Sequence, residues 1–215
     1  MKQYKKYLAE TIGTFTLVFC GTGAVTIDEI TYGAVSHVGI AITFGLVVMS
    51  MIYAFGEQSG AHLNPAVTIA FCINKSLPVK EVLPYIVSQL TGALLASLLL
   101  LALFPTSQFL GATLPAGSAL QSFILEILLT FFLMLVILRV ATGSKEQGLF
   151  AGIAIGSVVL LEAMFAGPIS GASMNPARSL APALISGHTE YLWVYLSAPV
   201  IGASIAVFIH QLIKS

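Results

Sequence analysis

Two stretches of this chain nearly repeat each other: residues 59–71 read SGAHLNPAVTIAF and residues 170–184 read SGASMNPARSLAPAL. Asn is a favoured helix N-cap and Pro fits the first helical position, so Asn64-Pro65-Ala66 and Asn175-Pro176-Ala177 each read as the start of a helix. The runs that follow, 64–74 and 175–185, give about 16 Å of helix each, about half the ~30 Å hydrocarbon core of a bilayer. Few folds accommodate two such fragments. Either they are surface turns followed by amphipathic helices, or they are half-helices that enter a membrane from opposite faces and meet at its centre.

Composition places the chain in a bilayer. Hydrophobic residues make up 57% and charged residues 8%, with a mean hydropathy of +0.96, far more apolar than an ordinary soluble domain. Nine basic and nine acidic side chains cancel, which leaves neither a basic surface for nucleic acid nor an acidic tail. Six apolar segments are long enough to cross: 7–27, 37–55, 83–104, 120–140, 149–166 and 191–213. They lack the alternation of porin strands, so the predicted fold is an all-α polytopic membrane protein with six transmembrane helices and two re-entrant half-helices. The basic start of the first segment resembles a signal peptide, but its apolar stretch is too long and lacks a clean cleavage site, so it reads as a retained span. Cys20 and Cys72 fall within apolar runs without metal-ligand spacing and read as buried small hydrophobes.

Lys2, Lys5, Lys6, Lys75, Lys80, Arg139, Lys145 and Lys214 all fall in the tails or in the second and fourth connections. Six spans put those regions on one side, so the positive-inside rule predicts both termini cytoplasmic, and the expected location is the cell membrane. Only Arg178 breaks the pattern. The opposite loops carry Asp28, Glu29, Glu190 and the uncharged stretch PTSQFLGATLPAGSA.

The chain reads as one domain of two halves, about 1–105 and 119–215. GIAITFG at Gly39 echoes GIAIGSV at Gly152, Glu10 matches Glu126, and Gly92-Ala93 matches Gly202-Ala203. Each half holds three spans, so the second enters the membrane from the other side; interrupted segments at matching places in such inverted halves point to the permeation site. Gly152 with Gly156, Gly92 with Ala96 and Gly202 with Ala206 form small-residue faces expected to hold helices together rather than touch solute.

A charge at the centre of a span costs about 2.5–3.5 kcal/mol. Arg178 also lies in the first turn of its helix, where the dipole disfavours a cation by about 0.3–1 kcal/mol. Two penalties at one residue point to a wet cavity that uses it. Glu10 and Glu126 have two readings: acceptors for backbone N–H groups of a re-entrant loop, or carboxylates reaching interfacial water. For His62 a pore-lining contact and a packed loop residue stand as equal readings. Glu162 has no counterpart in the other half and is expected to face a loop or a subunit contact.

With its paired Asn-Pro-Ala boxes in inverted halves, the chain resembles the major intrinsic proteins, the aquaporins and glycerol facilitators, over essentially all of its length. The resemblance implies a homotetramer of independent pores, each with half-helices meeting at its centre and a narrower filter on the extracellular side. The Arg after the second box, here Arg178, would donate hydrogen bonds to the solute and repel cations. The family's other filter positions, twenty before the first box Asn and fifteen and six before the Arg, correspond to Phe44, Ala163 and Ala172. A water-only channel carries His where this chain has Ala163. An ordinary glycerol facilitator has a second aromatic at Ala172 and Asp at Ser179. The segment MFAGPISGASMNPARSLAPA, followed by YLWVYLSAP, is most similar to the nodulin-26-like branch. That branch implies passage of glycerol, uncharged metalloid hydroxides such as boric or arsenous acid, and water, with protons and ions excluded.

Two alternatives stand beside this one, a water-selective aquaporin and a secondary transporter. A coupled carrier needs ionisable groups near the midplane, where this sequence offers Asn amides and one Arg. No catalytic fingerprint is present, and the reading calls for no cofactor and no metal.

Overall fold

The computed structural model describes residues 4–141 and 144–214; Lys2 and the side chains of Lys145 and Lys214 lie outside what it describes. The described residues form nine helices: α1 Tyr4–Ile30, α2 Ser36–Ser59, α3 Pro65–Ile73, α4 Val79–Leu103, α5 Ala119–Ala141, the short α6 Lys145–Leu149, α7 Ala151–Ser170, α8 Pro176–Ser186 and α9 Leu192–Lys214. Among them α1, α2, α4, α5, α7 and α9 are long and apolar enough to cross a membrane.

Most ends fall within a few residues of the expected spans, with three differences. The first helix runs on through Asp28 and Glu29, whose side chains bind loop groups: Asp28 Oδ1 accepts from the N–H of Ser36 at 2.7 Å, and Glu29 Oε2 accepts from Ser107 Oγ at 2.7 Å. The fifth span was expected to stop at Ala166, before Gly167-Pro168, yet α7 continues through Pro168 to Ser170. The first half-helix is nine residues, shorter than its partner's eleven. Lys75 turns left-handed after Asn74 with φ +61°, and the N–H of Ser76 reaches back to Phe71 O, a Schellman stop.

Close backbone crossings hold the bundle and recur in both halves. A Cβ on Gly92 of α4 would stand 2.2 Å from Thr11 O of α1, and one on Gly202 of α9 would stand 2.2 Å from Ile127 O of α5. Only glycine permits these approaches, the dense packing expected where lipid provides no hydrophobic drive between helices. Between α2 and α7 the contact is reciprocal: a Cβ on Gly45 would meet Gly156 O at 2.8 Å, and one on Gly156 would meet Gly45 O at 2.7 Å. Large apolar residues such as Ile12, Leu95, Phe132, Phe165 and Phe208 face outward, while Thr14, Thr68, Gln89, Glu126 and Ser179 are buried. Polar groups inside and apolar groups outside is the arrangement lipid demands. Cys20 and Cys72 differ from expectation, being half-buried at the edge of the packing rather than within it.

Candidate functional site

The two half-helices meet at their N-termini. Asn64 accepts the N–H of Ala66 at 2.9 Å, and Asn175 accepts those of Ala177 at 3.0 Å and Arg178 at 3.3 Å. Each amide nitrogen then crosses to the other half: Asn64 Nδ2 donates to Met174 O at 2.8 Å, and Asn175 Nδ2 donates to Leu63 O at 2.8 Å. A carboxamide has two N–H donors, so each Asn keeps a second one beyond this bond.

The loops that lead to these caps have an unusual backbone, and it is the same in both. Ala61, Leu63, Ala172 and Met174 have φ of +46°, +51°, +42° and +54°. Non-glycine residues reach this region only when their surroundings over-determine them. The two carboxylates do so. Glu10 accepts from the N–H of His62 at 2.9 Å and of Leu63 at 2.8 Å, from Ser59 Oγ at 2.7 Å and from Gln89 Nε2 at 2.8 Å. Glu126 accepts from the N–H of Ser173 and of Met174 at 2.8 Å and from Ser170 Oγ at 2.7 Å. Tyr85 and Tyr195 donate to the carbonyls of Ser59 and Ser170 at 2.8 and 2.7 Å. Of the two readings open for Glu10 and Glu126, the geometry is that of loop acceptors.

A cavity of about 460 Å³ runs past this centre, lined by both Asn residues, by Phe44, Ala163, Ala172 and Arg178 at one end and by Tyr53 and Leu149 at the other. The four residues expected to form a filter therefore share one wall system. Arg178 is 3% exposed, and its guanidinium carbon lies 5.1 Å from the Phe44 ring centroid. Its Nη1 donates to Gly111 O at 2.7 Å, and its Nε has no partner among the described residues. His62 lines the cavity, stacks on Phe71 at 4.7 Å and sets Nδ1 3.1 Å from Thr68 Oγ1.

Comparison with known proteins fits this geometry. The profile of the family described as "Major intrinsic protein" matches residues 1–210. The chain belongs to the major intrinsic protein family. It is 46% identical to nodulin-26 of Glycine max over 212 residues, 98% of this chain and 78% of that protein. A probable NIP-type aquaporin of Nicotiana alata is 48% identical over 212 residues, again 98% and 78%. Among solved structures, the aquaglyceroporin from Plasmodium falciparum aligns with a TM-score of 0.88 at 28% identity, covering 98% of this chain and 96% of that one. This family member is thus a multi-pass membrane channel for small neutral solutes and water, and it is not an enzyme.

Several contributors carry no signal in the sequence. Gly111, in the uncharged loop between α4 and α5, has φ +71° and no room for a Cβ, which would stand 2.8 Å from Thr22 O. That close approach delivers the carbonyl on which Arg178 rests. The same loop sets Thr113 Oγ1 2.7 Å from Ser179 Oγ. Gly21 of α1 makes room for Phe44, since a Cβ there would lie 2.2 Å from the ring. Gly152, expected to be purely structural, also lines the cavity and packs against Tyr53.

The structure excludes the subunit contact expected as one of two readings for Glu162. It is 2% exposed, so it meets neither a subunit surface nor solvent, and neither carboxyl oxygen has a partner among the described residues. Ile155, Val159 and Ala163 line the cavity while Gly156 and Met164 turn to α2, which leaves Glu162 on the flank toward α5. Nothing in the structure assigns it a role.

Proposed function

We propose that this channel passes glycerol and uncharged metalloid hydroxides such as boric or arsenous acid together with water, through a filter of Phe44, Ala163, Ala172 and Arg178. The observation that carries this reading is the pair of methyl side chains, Ala163 and Ala172, lining the same cavity as the guanidinium. An imidazole at the first or a ring at the second would narrow the path; two methyls leave it wide, with donors on one side and the Phe44 ring on the other. That asymmetry suits a solute with hydroxyls on one edge and apolar atoms on the other.

Asn64 and Asn175 supply the central donors, and the loop carbonyls held by Glu10 and Glu126 supply acceptors leading to them. His62 contributes to the inner half. Exclusion of protons and ions follows the electrostatics general to aquaporin-type pores: two half-helix ends, each worth about half a positive charge, face a cation at the centre. Arg178 adds a full charge beyond them. The unit is a homotetramer in the cell membrane with both termini cytoplasmic, and each chain is one channel domain with inverted halves, about 1–105 and 119–215. Bonds from Glu10 and Glu126 to one loop each, and from each Asn to the other, support that division.

Stopped-flow light scattering on proteoliposomes tests the reading. Water, glycerol, urea and boric acid should all pass down their own gradients, unaffected by proton or sodium gradients. Passage of water with none of the other three would leave a water-selective pore, and flux driven by an ion gradient would leave a transporter.

A further inference from the structure

Pro168 has no N–H to offer Met164, the residue four before it in α7. Where a helix continues through such a proline, the released carbonyl needs another donor, because lipid supplies none. The structure provides one from a different helix: Nε2 of His37, in the first turn of α2, lies 2.6 Å from Met164 O. A carbonyl only accepts, so Nε2 carries the proton. Prolines also interrupt α4, α8 and α9 at Pro84, Pro182 and Pro199. Among the described residues, Pro168 alone has its released carbonyl met by a side-chain donor. The site is also cleared for the ring, since a Cβ on Gly167 would stand 2.9 Å from His37 Cε1.

The location gives the bond its meaning. Met164 directly follows Ala163, and Phe44 lies on α2 about two turns beyond His37. The bond thus ties the α7 turn bearing one filter side chain to the helix bearing another. At the middle of the pair, Gly45 and Gly156 fix the crossing. At the inner end, Tyr53 Oη donates to Leu149 O over a longer 3.2 Å. Without His37 the outer ends of α2 and α7 have no corresponding tie among the described hydrogen bonds, and those ends flank the constriction.

We propose that His37 is a positioning residue for solute selection, which satisfies the Met164 carbonyl released by Pro168 and thereby sets the separation of Phe44 and Ala163. The proposal rests on the assignment of those two residues to the filter. Its test is the glycerol-to-water permeability ratio of the reconstituted full-length channel. His37→Phe keeps a ring without the donor and should raise the ratio about two- to tenfold, the range one hydrogen bond of ordinary net strength allows. His37→Gln restores a donor of similar reach and should return the ratio to wild type. Pro168→Ala gives Met164 a backbone partner, so His37→Phe in that background should change the ratio much less than it does alone. An unchanged or lowered ratio in His37→Phe, or an equal shift in both backgrounds, overturns the proposal. If His37→Phe yields no assembled channel, His37→Asn replaces it: its shorter arm should raise the ratio where His37→Gln does not, and equal ratios in the two variants overturn the proposal. Failure of the filter assignment shows separately, as Ala163→His and Ala172→Phe variants that keep the wild-type ratio.

Discussion

The two half-helices are built alike and used differently. Each begins at an Asn-capped proline, each is led in by a loop with two non-glycine residues at positive φ, and each loop hangs from one buried carboxylate. They part at the residue after the Asn-Pro-Ala triplet, where α3 has Val67 and α8 has Arg178. They part again behind the loops: among the described residues Gln89 gives Glu10 a fourth donor, whereas Glu126 has three. The two are alike in scaffold, and on the proposed reading the departures from that likeness set what the pore selects.

The largest effect should come from the shared part. Glu126→Ala strands two buried backbone N–H groups and a hydroxyl, at about 1–3 kcal/mol for each unmet donor. Loss of the folded channel, read by fluorescence-detected size exclusion and thermal unfolding in detergent, is the expected outcome. Glu10→Ala should behave the same way, and retention of wild-type stability by either would break the equivalence of the two halves.

Arg178→Val makes the second half like the first. Neutral-solute flux should persist while cation leak, measured by dye-reported ion flux in liposomes, rises on the order of ten- to a hundredfold, as removal of a nearby charge in a partly dry pore allows. An unchanged leak would leave exclusion to the helix ends alone. Gly21→Ala sharpens the difference from the other side: the added methyl pushes the Phe44 ring toward Arg178, so glycerol permeability should fall several-fold while water falls less. Equal loss of both would mean the ring does not set the width.

The smallest effects compare the two caps. Asn64→Ala and Asn175→Ala each remove a helix cap and a bond to the opposite loop, about 1–2 kcal/mol of stability. Asn175 caps two N–H groups where Asn64 caps one, so its loss should lower the melting temperature more. The reverse order would show that the cross-loop bond outweighs the cap.

How much of this was legible in the sequence follows from chemistry. In so apolar a chain a polar residue is conspicuous, so Asn64, Asn175, Arg178 and the carboxylates Glu10 and Glu126 stood out, and helix-start chemistry gave the direction of each fragment. The glycines at positions 92, 202 and 156 were readable as close-packing faces, because repetition marks them. Gly111, Gly21 and His37 were not, since each matters only through a neighbour distant in sequence that folding brings near. The end of α7 is hidden from the sequence for the same reason. A proline ends a helix unless something else takes the released carbonyl, and that partner lies on another span. Glu162 went the other way, conspicuous in sequence and without a hydrogen-bond partner among the described residues.

The crossed amide bonds at the centre also fix an order of assembly. The first loop can be hung from Glu10 as soon as the opening spans are inserted, because its donors up to Gln89 lie in the first half. Asn64, however, needs a carbonyl 110 residues further along the chain, and Asn175 needs one 112 residues back. Contacts of such separation form late, after the costs of closing long loops have been met. The first half therefore holds the makings of its own loop but not the partner of its central amide, which only the second half can supply.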